Sequence, residues 1–232
     1  MNNDLNISIF DNIETLAAAV GKYFIDTAED AISHRGMFTV AVSGGSLVQI
    51  LDRGLKGRLD GSKWHIFWAD ERCVPLTDDQ SNYAAAQKFF LKHINIPAEK
   101  IHTINDRLCP ADAAQDYQAG LLRLFGKLPR FDLILLGIGE DGHTASLFPG
   151  HSLLSEKEKW VAAVPDSPKP PRQRITLTLP VINNARHVAF IAAGKDKTAV
   201  ISKISGGHIP EQPLPAQLVR PLDGTLKWFV GI

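Results

Sequence analysis

The chain reads as an α/β protein built on a mostly parallel sheet, and three observations predict it. Short apolar, β-branched runs alternate with helical stretches of a dozen residues or more, the pattern of successive βαβ units. One run, FDLILLGIG at 131–139, is apolar almost without interruption, as expected of a strand covered on both faces. A 232-residue chain with 44% hydrophobic and 22% charged residues is long and apolar enough to bury a core.

The elements follow in order. After a short strand at 7–10 (ISIF), residues 11–35 place Ile13, Leu16, Val20, Phe24, Ala28, Ala31 and Ile32 on one helical stripe. MFTVAVSGG (37–45) is a strand running into a glycine turn, 46–55 a helix, and WHIFWA (64–69) the next strand. A helix is predicted over 81–93, with Ser81 as its cap, and another from 112 to about 126. RITLTL (174–179), HVAFIAA (187–193) and TLKWFV (225–230) are further strands. Prolines gather at 165–171 and 210–221 in loops that are neither long nor polar enough to separate domains. No internal repeat is visible, and residues 1–232 are expected to form a single domain.

Lys plus Arg equals Asp plus Glu, 25 each, so no net charge draws the chain to nucleic acid or to an anionic membrane. The opening MNNDLNISIF lacks the features of a secretory signal, and no apolar run approaches the roughly 18 residues that span a bilayer. Cys73 and Cys109 are too few and too far apart for a disulfide framework or a structural zinc site. A cytoplasmic protein is expected.

Parallel α/β sheets bind ligands at the carboxyl ends of their strands, and four segments there carry unusual residues. Ser43-Gly44-Gly45-Ser46 joins a strand to a helix, where backbone N–H groups can receive a phosphate; the alternative is a plain tight turn. Asp70, Glu71 and Arg72 directly follow a strand, as a site or as a solvated charge cluster. Glu140, Asp141 and His143 place a proton carrier beside two carboxylates, and spacing alone does not decide which one it touches, or whether the histidine is structural. Arg172, Arg174, Lys195 and Lys197 are cations suited to a phosphate, or merely exposed charge. The SGGS loop is neither a Walker A loop nor a GxGxxG dinucleotide fingerprint, and GxSxG and HExxH patterns are missing, so the expected chemistry is acid–base, with no cofactor and no metal.

SGGS, WADER, the SNY after it, LLGIGEDGHTASLFPG and PRQRITLTLP occur in one order and at one spacing, in which the chain resembles the 6-phosphogluconolactonase family over about residues 5–230. The wider group includes the glucosamine-6-phosphate isomerases/deaminases. The resemblance implies a three-layer αβα, modified Rossmann-like fold and a sugar-phosphate ligand. It implies that Ser43, Gly44, Gly45, Ser46, Arg174 and Lys197 hold the phosphate, with Lys197 rather than Lys195 at the group's spacing from Gly194. Deaminases carry a Glu five residues after the His of DGH; here that position is Phe148, which cannot relay a proton.

The implied reaction is hydrolysis of 6-phospho-D-glucono-1,5-lactone to 6-phospho-D-gluconate in the oxidative pentose phosphate pathway. His143 is the expected general base, oriented by Asp141, with Asp70 and Arg72 at the substrate. The partner is then a small sugar-phosphate lactone, with no nucleic acid or membrane, and the protein a monomer or weak homo-oligomer. The alternatives are an isomerase/deaminase, against which Phe148 argues, and a non-catalytic sugar-phosphate sensor, for which 232 residues leave no room for an output module.

Overall fold

A computed structural model describes residues 6–55, 57, 59–194, 197–205 and 211–231; Lys195 lies outside them. In chain order the elements are β1 (Asn6–Phe10), α1 (Ile13–Arg35), β2 (Phe38–Val42), α2 (Ser46–Gly54), β3 (Leu59–Asp60), β4 (Trp64–Trp68), β5 (Asp70–Arg72) and α3 (Asn82–Phe89). They continue with β6 (Ile94–Asn95), α4 (Pro110–Phe125), β7 (Leu133–Leu136), β8 (Val161–Val164), β9 (Arg174–Leu177), α5 (Leu179–Ile182), β10 (His187–Ala193), α6 (Thr198–Ser205) and β11 (Thr225–Gly231).

Six strands form the central sheet in the order β1-β11-β10-β7-β2-β4, and every pair in it is parallel. Side chains alternate across this sheet with the period of two that a strand imposes. Phe38, Val40, Leu133, Leu135, Ala189 and Phe229 pack on one face with α1 and α2. Ala41, Ile134, Leu136, Val188, Phe190 and Trp228 pack on the other with α4, α5 and α6. This is the three-layer αβα fold that the family resemblance implied, with a hydrophobic layer on each side of the sheet.

Local signals account for the element ends. Asn12 accepts the Thr15 N–H at 2.9 Å to start α1, and Ser81 Oγ accepts the Ala84 N–H at 3.2 Å to start α3. Pro110 occupies the first turn of α4, where its missing N–H costs no helical bond. At the amino ends of β2 and β7, the buried Asp132 carboxylate accepts the Thr39 N–H, the Thr39 hydroxyl and Arg35 Nε, each at 2.8 Å.

Three expectations change. The hydrogen-bonded strand expected over 131–139 is only Leu133–Leu136, because residues 137–139 leave the sheet to enter a loop; Gly137 O accepts there from Thr144 Oγ1 at 2.9 Å. The strand predicted at 174–179 covers Arg174–Leu177 and lies outside the parallel sheet. It pairs antiparallel with β5 and with β8, so Asp70–Arg72 is itself a short strand rather than a loop. β8 was not anticipated, since four small apolar residues carry no usable periodicity. No helix among the described residues is long and apolar enough to cross a membrane.

Candidate active site

The carboxyl ends of β2, β7 and β10 meet the small antiparallel sheet around a cavity of about 240 Å³. Ser43, Gly44, Gly45 and Ser46 line it from the loop after β2, and Asp70 and Arg72 from β5. His143 enters from the loop after β7, Arg174 from β9 and Lys197 from the segment after β10. Asp141 stands one step back, against His143. A larger groove of about 600 Å³ runs between α1 and α2, but its charged residues neutralise one another: Lys22 pairs with Asp26 at 2.7 Å and Arg53 with Glu14 at 2.9 Å. Size without convergent polar groups does not make a site.

The glycine loop is fixed from behind. A Cβ on Gly44 would lie 1.9 Å from Asn82 Oδ1, so only glycine fits there, and Asn82 Nδ2 donates to the Asp70 carbonyl at 2.7 Å. Asn82 therefore ties the loop to β5. Ser43 is buried, and among the described residues its hydroxyl has no hydrogen-bond partner. That hydroxyl and the amino end of α2 offer donors and partial positive charge to an anion.

Strand alternation sorts the three charges of β5. Asp70 and Arg72 face the cavity, and Glu71 turns the other way. Glu71 is fully buried and accepts the N–H groups of Arg72 at 2.7 Å and of Asn82 and Tyr83 at 2.8 Å, anchoring the start of α3. Burial pushes its carboxyl above the ordinary value against the pull of those bonds. Asp70 accepts from Ser146 Oγ at 2.7 Å and lies 3.9 Å from Arg174 Nη1. Arg72 Nη1 donates to the Gln80 carbonyl at 2.6 Å, while its Nε is out of solvent with no partner among the described residues.

The loop after β7 closes on itself: Gly142 N–H donates to Gly139 O, and Gly139 N–H to His143 O, both at 2.9 Å. Asp141 Oδ1 accepts the His143 backbone N–H at 3.3 Å and its Nδ1–H at 2.5 Å. The carboxylate contact left open by the sequence is thus Asp141, and Glu140 instead reaches Lys197 at 3.7 Å. With Nδ1 donating, Nε2 keeps a lone pair. Phe148 stacks on the imidazole, centroids 4.9 Å apart, with the Arg174 guanidinium 5.9 Å from the phenyl centroid. Burial lowers the proton affinity of His143 and outweighs the opposing pull of Asp141. Burial raises Asp141, but the hydrogen bond and charge of His143 overcome it and hold this carboxyl below its usual value.

Arg174 is nearly inaccessible and largely committed. Its Nε donates to Pro171 O at 2.9 Å, and Nη2 to Lys169 O and Pro170 O at 2.9 and 3.1 Å. Nη1, 3.3 Å from Ser146 Oγ, is the end left toward the cavity, so a free bidentate fork is not available there. Lys169, Asn82 and Ser146 were missed as site-forming residues. Asn82 stood in a quoted motif, whereas a lysine among prolines carries no mark of its own. Among the described residues no group of three or more His, Cys, Asp or Glu is placed to hold a metal ion.

Comparison with known proteins gives a consistent picture. The family described as glucosamine-6-phosphate isomerases/6-phosphogluconolactonase matches residues 11–228. The chain is 41% identical over 238 residues to a probable 6-phosphogluconolactonase 4, chloroplastic, of Oryza sativa subsp. indica, covering 96% of this chain and 74% of that protein. It is 40% identical over 240 residues to 6-phosphogluconolactonase 3, chloroplastic, of Arabidopsis thaliana, covering 97% and 72%. Among solved structures, 6-phosphogluconolactonase from Trypanosoma cruzi superposes with a TM-score of 0.86 at 27% identity, covering 100% of this chain and 96% of that one. That from Thermotoga maritima gives 0.85 at 27% identity, covering 98% and 100%. A monomeric glucosamine-6-phosphate deaminase shares the fold, with a TM-score of 0.78 at 18% identity over 98% of this chain and 97% of that one.

Proposed function

Because the chain belongs to the glucosamine-6-phosphate isomerase/6-phosphogluconolactonase family, we propose that it hydrolyses 6-phospho-D-glucono-1,5-lactone to 6-phospho-D-gluconate, the lactone-opening step of the oxidative pentose phosphate pathway. The observation that carries the proton-transfer part of this reading is the His143–Asp141 pair, Nδ1 engaged at 2.5 Å and the imidazole lining the cavity. His143 Nε2 takes a proton from water as the water oxygen bonds to C1, and the carbonyl oxygen becomes the oxyanion. Collapse restores the C=O and breaks the bond from C1 to the ring oxygen, which receives the proton back from the imidazolium. The new carboxylic acid then ionises to the carboxylate. Such a base contributes about 10²- to 10⁴-fold.

The phosphate is assigned to the Ser43 hydroxyl, the backbone N–H groups of Gly44, Gly45 and Ser46, and the charges of Arg174 and Lys197. Binding energy collected there, remote from C1, orients the lactone carbonyl. Asp70 holds Ser146 and balances Arg174, and Arg72 meets negative charge on the substrate. Phe148 supports a lactonase over a deaminase, since it puts an apolar ring where proton relay needs a carboxylate. The protein is taken to act in the cytoplasm on a diffusible substrate, as one domain and as a monomer or weak homo-oligomer.

The test is a continuous lactonase assay corrected for spontaneous opening. His143→Ala is expected to lose about 10²-fold or more in kcat while still binding 6-phosphogluconate. Near-normal turnover by that variant removes His143 from the proton-transfer role.

A further inference from the structure

The proton-transfer pair has a third charged neighbour. Lys169 lies in the proline-rich loop between β8 and β9, with Nζ 3.4 Å from His143 Nδ1 and 3.6 Å from Asp141 Oδ1. The loop that delivers it is pinned at both ends of the residue. Ser167 Oγ accepts the Lys169 N–H at 3.2 Å and donates to Lys169 O at 2.9 Å, and that same carbonyl accepts from Arg174 Nη2 at 2.9 Å.

A carboxylate on Nδ1 acts on a histidine base in two opposed ways. By accepting Nδ1–H it fixes the tautomer and leaves the Nε2 lone pair available. By its charge it favours the imidazolium, which has no lone pair with which to take a proton. A cation beside the carboxylate cancels the second effect and leaves the first. We propose that Lys169 is the counter-charge of Asp141, a positioning residue that lets Asp141 orient His143 without protonating it. The proposal rests on the reading of His143 as the base.

The other groups around the imidazole do not supply that charge. Phe148 covers one face and is neutral. Asp70, on β5, is the next carboxylate to act on His143, and it is already met by Ser146 Oγ at 2.7 Å and Arg174 Nη1 at 3.9 Å. Glu140 is turned to Lys197. Lys169 acts on His143 in the same direction as burial, against Asp141. Its side chain is 46% exposed, so solvent and salt weaken its field without abolishing it.

Lys169→Met keeps most of the stem and the backbone carbonyl under Arg174 but removes the charge; Lys169→Arg keeps the charge. The His143 imidazole resonance of the full chain, identified by its loss in His143→Gln and titrated without substrate, reads protonation directly. The pH profile of kcat/KM reads it through turnover. Lys169→Met is expected to raise the His143 midpoint by about one pH unit at low ionic strength, and by less in high salt. The acid limb of kcat/KM should move with it, about tenfold lower below the midpoint, with the plateau above it within about twofold of the parent. Lys169→Arg should stay near the parent in both. An unmoved or lowered midpoint in Lys169→Met overturns the proposal, and so does an equal loss of rate at every pH. A raised midpoint with an unmoved acid limb upholds the counter-charge and refutes His143 as the base, so the two readings fail separately.

Discussion

No side chain fits at Gly139. A Cβ there would stand 2.0 Å from His143 Nδ1 and 2.5 Å from Asp141 Oδ1, so the closeness of the pair to its own loop depends on a missing methyl group. Gly139→Ala is expected to retain the fold and lose about 10²-fold in kcat/KM, because displacement of about 1 Å at a reacting group costs that much. Unchanged kcat/KM at an unchanged unfolding temperature would show that the pair tolerates the shift. His143, Asp141 and the SGGS loop were legible because their residue types and order carry chemistry. Gly139 read only as part of a turn, since its packing against an imidazole is a tertiary fact. Glu71 shows the reverse: in sequence it is one more charge of the run Asp70-Glu71-Arg72, and the alternation of a strand sends it to a helix end.

At the scale of elements, the long helices and the six strands of the central sheet were legible, and the short strands β3, β5, β6 and β8 were not. The helices at Ile13–Arg35, placed by its apolar stripe, and Pro110–Phe125 lie close to where they were expected. The pairing of β9 with β5 and β8 was invisible, since a four-residue strand states neither its partner nor its direction. Asp132 makes a prediction that belongs here. It joins β2 to β7 and to the end of α1 through Thr39 and Arg35, at the sheet end opposite the cavity. Asp132→Ala removes the buried acceptor of the Thr39 N–H and hydroxyl, while Arg35 keeps Asp30 at 3.5 Å, and should cost about 1–3 kcal/mol in denaturant unfolding. Turnover well below the melting range should hold. A stability loss under about 1 kcal/mol would mean that the carboxylate is dispensable to this junction.

For the molecule as a whole, the parallel order followed from the alternation of strands and helices, and the three-layer architecture from the resemblance to the 6-phosphogluconolactonase family. Stability adds a dependence on acidity. His102 stacks on Phe67 at 4.0 Å and touches His65 at 3.1 Å. Burial, with His65 beside it, pushes its imidazole down from 6.5 to about 4. A folded-state value below the unfolded one means that the unfolded chain binds more protons in between. The contribution of His102 is therefore complete above pH 6.5 and drains away as pH falls toward about 4. His102→Leu should flatten the fall of the unfolding temperature across that window, and an equal slope in the two proteins would exonerate His102. The strand order β1-β11-β10 also has a temporal side. Asn6 is paired with Lys227, so β1 leaves the ribosome about 220 residues before its neighbour exists. During synthesis the nascent chain must carry β1 as an unpaired edge until β11 arrives.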